Sequence, residues 1–197
     1  MISVMVNGEQ STVAGQAASR IADLVELIKT TIDPDHMIVS IMLDGQDLQE
    51  QQWSASPSQF ETAILEVETD TIDNYVASRL SQAPAIIGTC YTQFRGARKS
   101  FQSGDMMSGN KQMVEAVNAL KAFFEWYGTI LQLVDDNRQR ILDLTSQVED
   151  IAESCKKICQ QQLYQSWWAL GETLEKEFEP KLDRLEDEVR SRVKQLN

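Results

Sequence analysis

From Ile72 to the C-terminal end, the apolar residues of this 197-residue chain return every three or four positions. That spacing suits helices packed side by side at shallow angles. Met113, Val117, Leu120, Phe124, Tyr127, Leu131 and Val134 alternate steps of four and three, and Ile141, Leu144, Val148, Ile151, Cys155 and Ile158 continue the rhythm. A third run joins Leu163, Trp167, Leu170, Leu174, Phe178, Leu182, Leu185, Val189, Val193 and Leu196. Ile72, Val76, Leu80, Ile87, Phe94 and Phe101, with Ala83, Cys90 and Ala97 between them, make a less regular fourth seam.

Breaks in the pattern divide these seams. Ser103-Gly104-Asp105 and Gly109-Asn110 predict a loop between the first two helices. Asp135-Asp136-Asn137 predicts a second turn with a capping side chain, and one continuous helix from Lys111 to about Cys159 is the alternative. Gln160-Gln161-Gln162 marks a third break by weakness of pattern alone. Pro84 and Pro180 fall inside helical stretches, where each removes a backbone bond and should kink its helix. The expected fold class is α+β. A small N-terminal domain, residues 1–70, precedes an antiparallel four-helix bundle or long helical hairpin at residues 71–197.

Charge supports that boundary. Residues 1–70 hold twelve acids against Arg20 and Lys29, a net of −10, whereas the remainder is nearly balanced at −2. An acidic surface repels phosphate backbones, so nucleic acid is not an expected partner of the first domain. No stretch has the length of apolar residues that a spanning helix needs, and the N-terminus lacks the features of a secretory signal. A cytoplasmic protein with no membrane partner is the expectation. Reduced thiols fit that address, and Cys155 and Cys159, four apart, read as small apolar residues in a helix seam or as a redox or metal pair.

In the first domain, Ile2 to Val6 suits a short strand, and Asn7-Gly8 is a hairpin signal because both residues tolerate positive φ. A second strand is expected from about Gln10 to Ala14. Ile21, Leu24, Val25 and Ile28 fall at helical spacing within a helix from Ala18 to Thr30, closed by Asp33-Pro34-Asp35. The apolar run Met37 to Leu43 predicts a central strand buried on both faces, ended by Asp44-Gly45. Phe60 to Val67 is the last expected strand, with Ala63, Leu65 and Val67 on one face.

This β-β-α-β-β order, carried by Val4-Met5-Val6-Asn7-Gly8-Glu9 and Val39-Ser40-Ile41-Met42-Leu43-Asp44-Gly45-Gln46, resembles the β-grasp fold of ubiquitin-like and sulfur-carrier proteins. Carrier chemistry in that family needs a free C-terminal Gly-Gly, whereas here Glu68-Thr69-Asp70-Thr71 leads onward into helix. The resemblance therefore implies a docking surface. The segment Trp167-Trp168-Ala169-Leu170-Gly171-Glu172-Thr173-Leu174, with Glu177-Phe178-Glu179-Pro180, resembles one in uncharacterised bacterial proteins and implies no activity.

Catalytic signals are weak. His36, the single histidine, is expected in a solvated loop beside Asp35, where nothing would orient it as a base. Glu172, Glu175, Glu177 and Glu179 read as the solvated side of the last helix, and no P-loop, GxGxxG, HExxH or nucleophile-elbow motif is present. No catalytic, cofactor or metal residues are assigned. Two features point instead to a protein partner or self-association. Arg95, Arg98 and Lys99 form a basic cluster that either complements a helix C-terminus or docks a partner. Trp126, Trp167, Trp168, Phe123 and Tyr164 are more aromatic surface than one seam buries, and Trp168 points about 100° from Trp167. Tyr164, Trp168, Arg95, Arg98 and Lys99 are the candidate partner-binding residues. The expected function is non-enzymatic: a scaffold or export chaperone holding an amphipathic helix. The competing class is a small enzyme or ligand-binding protein with a pocket between the domains.

Overall fold

A computed structural model describes residues 2–60 and 62–196, the side chain of Leu196 excepted. The chain divides into two compact units, Met1–Tyr75 and Val76–Asn197, and its class is α+β.

The first unit opens with β1 (Ser3–Val6) and β2 (Glu9–Gln10), joined through Asn7 and Gly8 at φ 51° and 79°. Both central residues have the positive φ of a type I′ turn. α1 (Ile21–Lys29) follows, then β3 (His36–Leu43) and β4 (Gln46–Asp47) around an equivalent turn at Asp44 and Gly45, φ 51° and 73°. A short α2 (Glu50–Trp53) and a 3-10 turn at Pro57–Gln59 lead to β5 (Ile64–Thr71). The sheet order is β2-β1-β5-β3-β4, with β1 and β5 parallel and the other pairs antiparallel. Ile21, Leu24, Val25 and Ile28 of α1 pack with Val4, Leu65 and Val67 of the sheet into one core.

Several expectations change here. The middle strand of the five is β5; the apolar run of β3 also pairs on both sides, with β5 and β4, but lies one place off centre. Only Leu43 of β3 is buried, because an apolar run specifies a strand without specifying what covers its second face. The second strand stops at Gln10: Ser11 still donates to the Val4 carbonyl, but its hydroxyl then accepts from Val13 N–H and turns the chain. The helix begins at Ile21, since Arg20 is extended and Ser19 spends its hydroxyl on Asp23. The last strand starts at Ile64 and runs to Thr71, with Ala63, Leu65 and Val67 buried as expected. Glu61, within the expected strand, lies outside the described residues.

The second unit is helical: α3 (Ile72–Gln102, its first residues in the other unit), α4 (Met106–Leu131), α5 (Asp136–Ile141) and α6 (Thr145–Leu163). The C-terminal stretch comprises α7 (Trp167–Thr173), a π-helical segment Leu174–Phe178, and α8 (Glu179–Leu196). Asp105 caps α4 by accepting from Ser108 N–H, and Asp135 caps α5 by accepting from Asn137 and Arg138. The turn at Asp135 therefore excludes the continuous helix to Cys159. Gly109 and Asn110 belong to α4 rather than to a loop. The third break falls at Tyr164–Ser166, with Gln165 at φ 53°, a few residues beyond the glutamine run. Helix continues through Pro84, whereas Pro180 follows a widened π turn in which Glu179 N–H bonds back to Leu174. A proline ring crowds the carbonyl four residues before it, and that turn relieves the crowding.

Side-chain contacts join the helices. Ser100 meets Gln112, Tyr127 donates to the Leu142 carbonyl at 2.8 Å, and Gln161 donates to Thr173. Phe94 packs on Phe178, their centroids 4.5 Å apart, and Arg98 reaches Glu179. The seam of α3 is as expected except for Ile72, which is exposed. In α4 the buried stripe is Met113, Ala116, Leu120, Phe123, Tyr127 and Ile130, so Val117 is exposed and Phe124 and Leu131 sit at the margin. Val148 and Leu163 are likewise exposed, and Ser154 is buried where Cys155 was expected.

Candidate protein-interaction surface

The five residues singled out in the sequence fall into two places. Arg98, only 11% exposed, is held inside the helical unit: Nε donates to Glu179 Oε1 at 2.6 Å and NH1 pairs with Glu175 at 2.9 Å. Arg95 lies over the Tyr91 ring at 4.8 Å and donates to its hydroxyl at 2.7 Å. Tyr91 in turn donates to Glu179 Oε2 at 3.4 Å. The guanidinium of Arg98 is therefore committed to joining α3 to the π turn and is not presented to a partner. Lys99 stays exposed in the last turn of α3. The acidic run is not simply solvated: Glu179 is buried, and Glu177 and Glu172 are paired with Lys157 and Lys176. Sequence periodicity missed this because α8 begins one π turn out of phase with α7.

Tyr164 and Trp168 are 76% and 79% exposed. Two residues the sequence did not single out as sites join them: Met107 at 85% and Leu163 at 77%. These four are the most exposed large hydrophobic side chains among the described residues. All belong to one end of the helical unit, where the α3–α4 and α6–α7 connections meet. Gln162 donates to Asn110 Oδ1 at 2.6 Å, tying the end of α6 to the first turns of α4. Trp167 stacks on Phe101 at 5.5 Å, and the Phe101 ring lies against Gly109. That stack fixes the start of α7 and so turns Trp168, the next residue, outward.

The two connections carry little charge of their own, although exposed Lys99 stands just before one and Glu172 one helical turn after Trp168. Ile158–Gly171 contains no ionisable acid or base other than Cys159 and Tyr164, and residues 100–112 carry only Asp105 and Lys111. Asp105 is held below the ordinary carboxylate range by the Ser108 N–H it accepts. Asn, Gln and Ser supply the remaining polarity, each both donor and acceptor.

Elsewhere, His36 begins β3 and its Nδ1 lies 3.2 Å from Thr69 Oγ1, so it is half-buried rather than a free loop residue. Cys90, Cys155 and Cys159 are free thiols, and burial raises the first two above the ordinary thiol value. Among the described residues, no helix is long and apolar enough to cross a membrane. No protein-family model, curated protein or solved structure matches the chain.

Proposed function

We propose that the protein is a non-enzymatic interaction module of the cytoplasm, with a β-grasp-like domain followed by an antiparallel four-helix bundle. Its docking surface is the end of the bundle where the α3–α4 and α6–α7 connections meet. The observation that carries this reading is the gathering of Met107, Leu163, Tyr164 and Trp168, each more than three-quarters exposed, at one end. Isolated exposed hydrophobics are ordinary, but four large ones at the same end of a unit favour an interaction site. Tyr and Trp offer large, rigid contact area with a polar tip, as interface anchors do. A scaffold or export chaperone receiving the apolar face of an amphipathic helix fits such a surface.

Hydrogen exchange of the full chain alone and with its stoichiometric partner tests the reading. Protection concentrated at 106–110 and 163–168 supports it. Protection confined to other segments would count against it.

A further inference from the structure

We infer that Cys155 and Cys159 on α6 form a two-thiolate site for one soft monovalent metal ion of the cuprous class, independent of the docking surface. α6 is continuous from Thr145 to Leu163, so residues four apart share a face, with Cβ atoms about 5–6 Å apart. Cys155 is half-buried beside the seam of Ile151, Ser154 and Ile158, and Cys159 stands exposed one turn on. Cys159 is near enough to Cys155 to disfavour a second negative charge there, and the Lys181 ammonium of α8 is near enough to favour one. Lys181 is anchored over α6 by donating to the Asp150 carbonyl at 2.9 Å, and it also lies 3.5 Å from Asp150 Oδ1.

Spacing and donor number select the occupant. A disulfide needs Cβ atoms about 3.5–4.5 Å apart, so joining these two thiols directly would distort the helix. A linear sulfur–ion–sulfur unit is wider. Two metal–thiolate bonds of about 2.3 Å set the sulfurs about 4.6 Å apart, which side chains one turn apart span from a regular helix. Structural zinc takes four ligands and iron–sulfur clusters draw on four cysteines. Among the described residues, no group of three or more His, Cys, Asp or Glu could hold a metal. Two soft donors alone suit a two-coordinate cuprous ion. On binding, each thiol gives its proton to solvent and each sulfur donates an electron pair to the ion, whose oxidation state is unchanged. Two thiolates and one monovalent cation carry a single negative charge, beside the Lys181 ammonium.

Competition of the reduced full chain against bicinchoninate, a chromogenic cuprous chelator, under anaerobic conditions tests this. The chain should withdraw one equivalent of copper(I). Cys155→Ser and Cys159→Ser should each weaken that uptake at least ~100-fold, because one thiolate alone does not chelate. Cys90→Ser, on α3, should leave it unchanged. Moving the second thiol round the helix, by combining Cys159→Ser with Gln160→Cys, should leave uptake weak although the thiol count is restored. Zinc(II) should bind at least ~100-fold more weakly than copper(I), for want of further ligands. No uptake overturns the site, as does uptake that survives loss of either α6 thiol or that the relocated thiol restores. Equal affinity for zinc overturns the two-donor arrangement.

Discussion

Arg98 Nε donates to Glu179 Oε1 at 2.6 Å, and the two side chains are only 11% and 6% exposed. An ion pair this dry survives because the remaining donors are used on Glu175 and Gln102, and Tyr91 donates to the carboxylate. Removing one partner strands the other charge, which typically costs about 3–5 kcal/mol. Arg98→Met and Glu179→Leu should each lower stability by about that amount in chemical denaturation. The double variant should recover most of it, since packed apolar replacements of a buried pair are often neutral. Additive losses in the double-mutant cycle would show that the two residues are not energetically coupled.

Gly109 is required by Phe101. A Cβ at position 109 would lie 2.7 Å from two atoms of the Phe101 ring, and that ring cannot retreat freely because Trp167 is stacked against it. Helix propensity alone favours alanine over glycine by about 1 kcal/mol. Overpacking reverses the sign, and Gly109→Ala should destabilise by about 1–3 kcal/mol. Gly128, with nothing within 4 Å of its Cβ position, is the internal control, and Gly128→Ala should stabilise. Thermal melts of the two variants should move in opposite directions.

The same neighbourhood shows what the sequence could and could not say. In α3, the buried residues Leu80, Ile87, Phe94 and Phe101 stand seven apart, and among them only Ile87 has a large apolar neighbour, Ile86, so the repeat leaves the seam one reading. In α4 the pairs Ala116/Val117, Phe123/Phe124 and Ile130/Leu131 are apolar twice over, and spacing fits either stripe. Packing selects the stripe containing the smaller Ala116, a choice made by the neighbouring helices and invisible in one sequence. Leu163 was placed in a seam because counting carried across Tyr164–Ser166, where Gln165 at φ 53° resets the helical phase. Tyr164 and Trp168 were legible as surplus aromatics, but Met107, from across the fold, was not. The sheet followed a similar logic. Its turns were readable from Asn7-Gly8 and Asp44-Gly45, whereas β5 as the central strand depends on long-range pairing.

Thiol chemistry should sort the three cysteines. Burial raises the Cys90 thiol, and burial with the neighbouring Cys159 raises Cys155, so both hold little thiolate near neutral pH. Cys159 is exposed. A disulfide reagent near pH 8 should therefore titrate one thiol quickly and the other two only on unfolding. Cys159→Ser should abolish the fast phase; persistence of that phase would mean that Cys155 is the accessible thiol.

Acid should loosen the helix ends first. Hydrogen bonds from Ser108 lower the carboxyl of Asp105 below its ordinary value of 3.8, and Thr145 does the same for Asp143. A folded value below the unfolded one means that each group stabilises fully above the ordinary value and loses that contribution as pH falls through the lowered one. Melting temperature should thus decline below about pH 4. Asp105→Asn keeps a side-chain acceptor that does not titrate, so its decline should be shallower. Parallel curves for the two proteins would exclude Asp105 as a contributor.

Trp167 and Trp168 are adjacent in sequence and opposite in consequence. Trp167 is half-buried and stacked on Phe101 at 5.5 Å, at the point where α7 starts and the Phe101–Gly109 contact closes the end of the unit. Core aromatic-to-alanine changes cost about 3–5 kcal/mol, and a half-buried ring should cost about 2 kcal/mol. Trp168 is 79% exposed, and its truncation removes little contact within the monomer. At protein concentrations low enough to keep the chain monomeric, Trp167→Ala should therefore lower the melting temperature by several degrees, while Trp168→Ala leaves it nearly unchanged. Trp168→Ala should instead weaken binding to whatever occupies the end face, because interface aromatics carry a large share of contact energy. Equal destabilisation of the monomer by both substitutions would show that Trp168 belongs to the fold rather than to the interface.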